Sequence, residues 1–97
     1  MLDGSRIKHA ALRRCWVSND DSKIRPDWRR RVRRILNAQD VAASPQELDV
    51  PGFNFHPLTG DRKGSFSVLV SRNWRVTFRW SSTGHPYDVD MEDYHGK

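Results

Sequence analysis

The sequence lacks several features that would assign it to common protein classes. Its one cysteine, Cys15, excludes a disulfide within the chain, and nothing indicates an oxidising compartment. No apolar run approaches the ~20 residues that cross a bilayer, and no signal-like segment follows Met1. We therefore expect a soluble cytoplasmic protein that does not associate with membranes.

The sequence also has no internal repeat and no low-complexity linker. Its 97 residues leave room for one domain, so we expect residues 1–97 to form a single unit. Four Trp, two Tyr and four Phe can build a thin core although the hydrophobic content is only 36%. This aromatic content and the regular patterning argue against intrinsic disorder.

Positive charge is concentrated in the first third of the chain. The net charge is +5, and 11 of the 17 Lys and Arg residues lie between Arg6 and Arg34. Four of the 12 acidic residues lie within the segment 88–93. This asymmetry indicates a polyanionic or an acidic protein partner, although a solvated basic face would give the same composition.

Two segments in the first half have helical spacing of apolar residues. We predict one helix over residues 9–17 and a second from Pro26 to about Ala43. A short edge strand over residues 5–8 and a capped turn over residues 44–47 are also expected. The apolar positions of the two helices are Leu12, Cys15 and Trp16, and Trp28, Val32, Ile35 and Leu36.

After Gly52 the apolar period changes from about 3.6 to two, which is typical of half-buried strands. The predicted strands cover residues 53–56, 65–71, 74–80 and 87–92. In the last of these, Tyr87, Val89 and Met91 are expected to face the core. Helices followed by a run of strands predict an α+β fold, with two N-terminal helices on a twisted antiparallel sheet. All four Trp side chains fall on apolar stripes and are expected in the core.

The sheet face opposite the helices carries the polar half of the alternation. His56, Arg75, Thr77 and Arg79 should share this face. The loop over residues 59–64 adds Arg62 and Lys63, and the terminal run of Asp93, Tyr94 and His95 should reach the same face or its rim. Two histidines, a phenol, a carboxylate and several cations are therefore expected together.

Such a set suits cleavage of an RNA phosphodiester. The attacking 2′-hydroxyl loses a proton and the leaving 5′-oxygen gains one, and His titrates in the right range for either step. Arginines can stabilise the negative phosphorane, and this route requires neither a metal nor another cofactor. A metal site built from His56, His85, His95 and Asp93 is the alternative, but HxxxH and CxxC spacings are absent.

The sequence resembles the HigB-type toxins of the RelE/ParE superfamily over almost its whole length. The combination of HPL-x-GD, NWR-x-TF and a terminal DYH is specific to that family, whereas any one motif alone would be weak. The resembling segments are KHAALRRCW, RRILNAQDVAASPQELDVPG, FHPLTGDRKGSFSV, SRNWRVTFRW and YDVDMEDYH.

The resemblance implies a compact ribonuclease-like α+β fold and a bacterial toxin that cleaves mRNA in the ribosomal A site. It implies that a small helix-turn-helix antitoxin (HigA-like) holds the toxin inactive and that the toxin meets operator DNA only through this antitoxin. The partners are then the antitoxin, the 70S ribosome and mRNA. The implied catalytic residues are His56, Asp93, Tyr94 and His95, with Arg75 on the scissile phosphate. We expect further RNA or phosphate contacts from Arg62, Lys63, Arg72, Arg79, Arg30 and Arg34.

One departure from the family pattern keeps other functions open. Thr59 stands where the family usually has Lys, which removes a cation near the phosphate, although Arg62 or Lys63 could replace it. A catalytically weakened toxin that acts as a co-repressor with its antitoxin is therefore one alternative. A ParE-like gyrase inhibitor without nuclease activity is the other, because a shared fold does not fix function.

Overall fold

The computed structural model describes residues 1–94 and has an α+β architecture with two helices and a four-stranded antiparallel sheet. The helices are α1 (Ala10–Ser18) and α2 (Arg29–Val41). The strands are β1 (His56–Pro57), β2 (Ser65–Ser71), β3 (Trp74–Trp80) and β4 (Pro86–Asp93), in the spatial order β1-β2-β3-β4. The predicted fold class is confirmed at this level.

Both helices begin and end where the sequence supplies the required groups. His9 caps α1, because its Nδ1 accepts a hydrogen bond from the backbone N–H of Leu12 at 3.4 Å. The same helix ends at Asn19 in the left-handed conformation (φ 55°), which Asn tolerates better than most residues. Pro26 starts a 3₁₀ turn that leads directly into α2.

One hydrophobic core lies between the helices and the inner face of the sheet. Its fully buried members include Leu12 of α1, Ile35 of α2, and Val68 and Val76 of the two central strands. Trp28 is buried and contacts Trp74 with ring centroids 5.5 Å apart, while Trp16, Trp74 and Trp80 pack against the core with part of their surface exposed. The prediction that the Trp side chains belong to the core is confirmed.

Two predicted strands are wrong in their extent. Residues 5–8 do not form an edge strand, because the Asp3 carboxylate accepts from the N–H of Ser5 and starts a 3₁₀ turn over Gly4–Arg6. Only Ile7 forms a bridge, to Val89 of β4. The strand predicted over residues 53–56 shortens to His56–Pro57, because positive φ values at Gly52 (90°) and Asn54 (49°) turn the chain.

A β-bulge in β4 overturns the predicted orientation of Tyr87. Thr77 pairs with Asp90 and Arg79 pairs with Tyr87, so β4 has one more residue than β3 in this interval. Asp88 has a positive φ of 50° within the bulge. Tyr87 therefore shares the polar face with Arg79, whose Nε donates to the phenol oxygen at 3.1 Å.

The capped turn after α2 forms with a different hydrogen bond from the expected one. A 3₁₀ turn covers Pro45–Leu48, but the Ser44 side chain makes no capping hydrogen bond. Glu47 instead accepts from the backbone N–H of Ala43 at 2.9 Å. Among residues 1–94, no helix is both long enough and apolar enough to cross a lipid bilayer.

Gln39 is the one polar side chain on the buried stripe of α2, and it provides a test of the packing. It is fully buried, and neither its Oε1 nor its Nε2 has a hydrogen-bond partner among residues 1–94. Gln39→Leu should raise the free energy of unfolding by about 1–2 kcal/mol, because an unpaired buried amide is replaced by an apolar group. Urea denaturation measures this change.

Gln46→Leu is the matched control, because Gln46 is exposed in the 3₁₀ turn after α2. Its effect should stay within about 0.5 kcal/mol. A large loss of stability in Gln39→Leu would show that the amide is satisfied and structurally required.

Candidate active site

The outer face of the sheet brings predicted site residues from different strands together. His56 of β1 pairs with Ser67 of β2, which pairs with Thr77 of β3. One row further along, Arg75 of β3 pairs with Glu92 of β4. The predicted sharing of one face by His56, Arg75, Thr77 and Arg79 is therefore confirmed by the register.

Arg75 is held by three groups at the centre of this face. Its Nε donates to the Ser67 hydroxyl at 2.7 Å, and its Nη2 donates to the backbone carbonyls of Asn54 and Ser67. Burial lowers the pKa of Arg75, while the nearby Tyr94 acts in the opposite direction. A cation that is partly withdrawn from water and fixed in position interacts strongly with an anion that reaches it.

His56 lies beside Arg75 through a shared neighbour. Its Nε2 is 3.2 Å from Oδ1 of Asn54, the residue whose backbone carbonyl accepts from Arg75. The imidazole itself is exposed, so a substrate can reach it. Asn54 adopts a positive φ of 49°, and this turn carries β1 to the edge of the sheet beside Arg75.

A second fixed cation lies next to the first. Arg62 Nη1 and Nη2 donate to the two carboxylate oxygens of Glu92 at 3.1 and 2.9 Å, and Glu92 also accepts from the Thr77 hydroxyl. The hydrogen bond from Arg62 lowers the pKa of Glu92, with Thr77 adding to the effect and burial opposing it. The same bond raises the pKa of Arg62.

The terminal run divides between the two sides of the sheet. Tyr94 is half-buried near both cations: the Arg62 guanidinium lies 5.9 Å from its ring centroid, and its N–H donates to the carbonyl of Asn73. Asp93 is exposed and pairs with Trp74, so alternation places it on the face opposite Arg75. His95 lies outside the described residues.

The remaining predicted RNA contacts on the sheet are spread along its length. Arg79 lies two residues beyond Thr77 and donates to Tyr87. Lys63 follows the 3₁₀ turn Gly60–Arg62 and is exposed. Arg72 occupies the β2–β3 turn with a positive φ of 51° and is exposed next to the end of β4.

The arginines of α2 fall into two groups. Asp21 lies between Arg29 and Arg33 at 3.7 and 3.2 Å, which offsets the repulsion expected from their i, i+4 spacing. No carboxylate within residues 1–94 pairs with Arg30 or Arg34. These two line a concavity of about 520 Å³ with Arg31 and Asp27. Positive charge available to a partner is therefore concentrated on this side of α2.

Among residues 1–94, no three His, Cys, Asp or Glu side chains are grouped as metal ligands. Within this range, His56 has the amide of Asn54 rather than a carboxylate as its side-chain partner, and it pairs with Ser67 across the sheet. His95, a member of the alternative metal set, is outside this range. The described side chains can supply cations, hydroxyls and a titratable imidazole to an anionic substrate.

Sequence reasoning missed three residues that organise the site. Asn54 and Ser67 hold Arg75, and Glu92 holds Arg62. Alternation placed Glu92 on the polar side of β4, but nothing in the sequence connected it with a cation 30 residues earlier. A loop side chain and a strand side chain form this bond, so its partners depend on the tertiary path of residues 58–64.

Two comparisons with known proteins place the chain. A family model described as RelE-like toxin of type II toxin-antitoxin system HigB matches residues 5–95. A curated protein, Endoribonuclease HigB from Proteus vulgaris, is 35% identical over 89 residues. That alignment covers 92% of this chain and 96% of the relative.

The Arg62–Glu92 ion pair predicts a pH-dependent contribution to stability. Because the pKa of Glu92 is lowered by folding, the contribution is present above the ordinary carboxyl pKa and is lost as pH falls through the folded value. Glu92→Gln should therefore cost about 0.5–1 kcal/mol at neutral pH, a value limited by the partial exposure of the pair. The difference in the free energy of unfolding between wild type and Glu92→Gln should shrink as pH falls below about 4.

Urea denaturation of wild type and variant across this pH range measures the effect. Asp49→Asn serves as the control, because Asp49 is an exposed carboxylate after the turn Pro45–Leu48. A Glu92→Gln deficit that does not change with pH would contradict a charge-based role for the pair.

Proposed function

We propose that this chain cleaves RNA by a ribosome-dependent mechanism. The chain belongs to the HigB family of RelE-like toxins from type II toxin-antitoxin systems. It is an endoribonuclease toxin, and an antitoxin is its partner in the cell. The proposed substrate is mRNA being translated on the 70S ribosome. The observation that carries the proposal is the fixed, partly buried Arg75 beside the exposed His56.

In the proposed reaction, the 2′-hydroxyl attacks the adjacent phosphorus and the 5′-oxygen leaves. His95 takes the proton from the 2′-hydroxyl, because Asp93 lies on the face opposite Arg75, and Tyr94 orients the reacting groups. His56 protonates the leaving oxygen or binds the phosphate. All the required groups are side chains of the protein, so the route needs no metal ion.

Arg75 and Arg62 stabilise the extra negative charge of the phosphorane. Both are fixed before substrate arrives, and such preorganised charges give the largest electrostatic effect per group, about 3–4 kcal/mol when one is well aimed. Tyr94 lies near both guanidinium groups, which supports their convergence on one phosphate. Arg62 or Lys63 would supply the cation that Thr59 does not, although Glu92 neutralises part of the charge of Arg62.

The ribosome contributes position rather than chemistry. It would hold the mRNA so that the 2′-oxygen and the leaving oxygen lie in line on opposite sides of the phosphorus. Such positioning lowers the barrier by bringing the reacting groups together. Arg30 and Arg34 on α2 are suited to bind ribosomal RNA, because no carboxylate within the described range neutralises them. Lys63, Arg72 and Arg79 would contact the mRNA along the sheet.

The proposed antitoxin is a small helix-turn-helix protein of the HigA type. Through it alone the toxin would be carried to operator DNA as a co-repressor. Action on translating ribosomes implies that the chain works in the cytoplasm. The proposed inhibition of translation and growth follows from the loss of intact messages.

Expression without antitoxin tests the nuclease assignment. Wild type should arrest growth and produce discrete cuts in translated messages, seen by mapping mRNA 5′ ends. His56→Gln should reduce these cuts about 100-fold, because general acid catalysis typically contributes a factor of 10²–10⁴. His85→Gln is the control, since His85 is exposed in the β3–β4 loop, and it should cleave as wild type does.

Growth arrest with intact mRNA and a DNA-damage response would replace the proposal with gyrase inhibition. Continued growth with intact mRNA would favour the co-repressor alternative. Equal cleavage by wild type and His56→Gln would remove His56 from the mechanism.

A further inference from the structure

A concavity lies on the same face of the sheet as Arg75 and His56. It has a volume of about 340 Å³, near the lower end of the ~300–1,000 Å³ typical of small-ligand sites. Lys8, Arg62, Thr77, Arg79, Asp90 and Glu92 line it. Glu92 also pairs with Arg75 across β3 and β4, so this concavity lies next to Arg75.

The charge of this concavity differs from that of a phosphate site. Three cations are matched by three carboxylates, because Asp88 also lines it. A phosphate would meet repulsion from these carboxylates, whereas a neutral nucleobase would find both donors and acceptors. The mixed lining therefore favours a base over the RNA backbone.

Asp90 is the group best placed to recognise a base. Its Oδ1 accepts from the N–H of Met91 at 2.9 Å, and no hydrogen bond or ion pair within residues 1–94 occupies Oδ2. Asp88 lies at the bulge that brings Tyr87 onto the same face as Asp90. By contrast, Glu92 is already engaged by Arg62 and Thr77.

On the basis of the proposed function, we infer that this concavity is a subsite for a nucleobase that carries an exocyclic amino group, with Asp90 as the hydrogen-bond acceptor. Adenine, cytosine and guanine present such a donor on their Watson–Crick edges. Uracil presents one N–H between two carbonyl oxygens, and these would face the carboxylate unfavourably. Carboxylate recognition of a base amino group is an established mode of readout.

The position of the subsite fits a nucleotide adjacent to the scissile phosphate. Asp90 pairs with Thr77, two residues along β3 from Arg75, and two strand residues advance about 6.8 Å. Lys8 and Arg79 line the same concavity and offset part of the negative charge of Asp88 and Asp90. Lys8 also lies close enough to Glu92 to contribute to lowering the pKa of that carboxyl.

The test compares the bases around the cuts made by wild type, Asp90→Asn and Asp49→Asn during expression without antitoxin. At one fixed position beside the cuts made by wild type, uracil should occur about fivefold less often than in the messages as a whole. This is the discrimination expected from a single hydrogen bond. Asp90→Asn should abolish this depletion, since its amide can also donate to a uracil carbonyl. Asp49→Asn, with an exposed carboxylate outside the concavity, should retain it.

Unchanged base composition in a cleaving Asp90→Asn variant would overturn the subsite and leave the nuclease intact. The absence of cuts by wild type would overturn the nuclease and the subsite together.

A binding measurement on the wild-type protein covers the case in which Asp90→Asn does not fold. The probes are the four nucleoside 5′-monophosphates, monitored by the NMR amide shifts of Thr77 and Asp90. AMP, CMP and GMP should bind at least fivefold more tightly than UMP. Equal affinities for all four, or shifts confined to other residues, would overturn the inference.

Discussion

The alternation of side chains along β3 is the constraint on which the rest of this molecule depends. Trp74, Val76, Phe78 and Trp80 point to the helices and build the core, so the residues between them must point the other way. Arg75 and Thr77 are thereby placed on the polar face of the sheet. A one-residue slip of this strand would expose the core residues and bury Arg75 and Arg79, so core packing selects the register that exposes these cations.

The polar face is organised before substrate arrives. Arg75 is fixed by Ser67 and Asn54, and Arg62 is fixed by Glu92. Each guanidinium is partly withdrawn from water, and hydrogen bonds compensate for the lost hydration. The same Glu92 pairs with Arg75 and lines the concavity that contains Asp90.

Strong periodicity made much of the fold predictable, and local chemistry decided the rest. The helices and the β2–β3 hairpin followed from long apolar patterns and clear turns. Tyr87 was misplaced because a bulge at Asp88 adds one residue, and a period-two pattern cannot reveal an insertion of one. A turn over Gly4–Arg6 replaces the strand predicted over residues 5–8, because the Asp3 carboxylate accepts from the backbone N–H of Ser5. Asn54 and Glu92 were missed because their roles depend on contacts 21 and 30 residues distant.

The central claim is that side chains of this face activate the 2′-hydroxyl of mRNA held on the ribosome. The most direct test programs 70S ribosomes with a message that carries a single 2′-deoxynucleotide on the 5′ side of a mapped cut, beside a message deoxy-substituted one position further away. The account predicts that the first substitution abolishes cleavage at that site, that the second leaves it intact, and that free RNA is cut poorly. Undiminished cleavage of the first message would contradict the account, because water rather than the 2′-hydroxyl would then be the nucleophile.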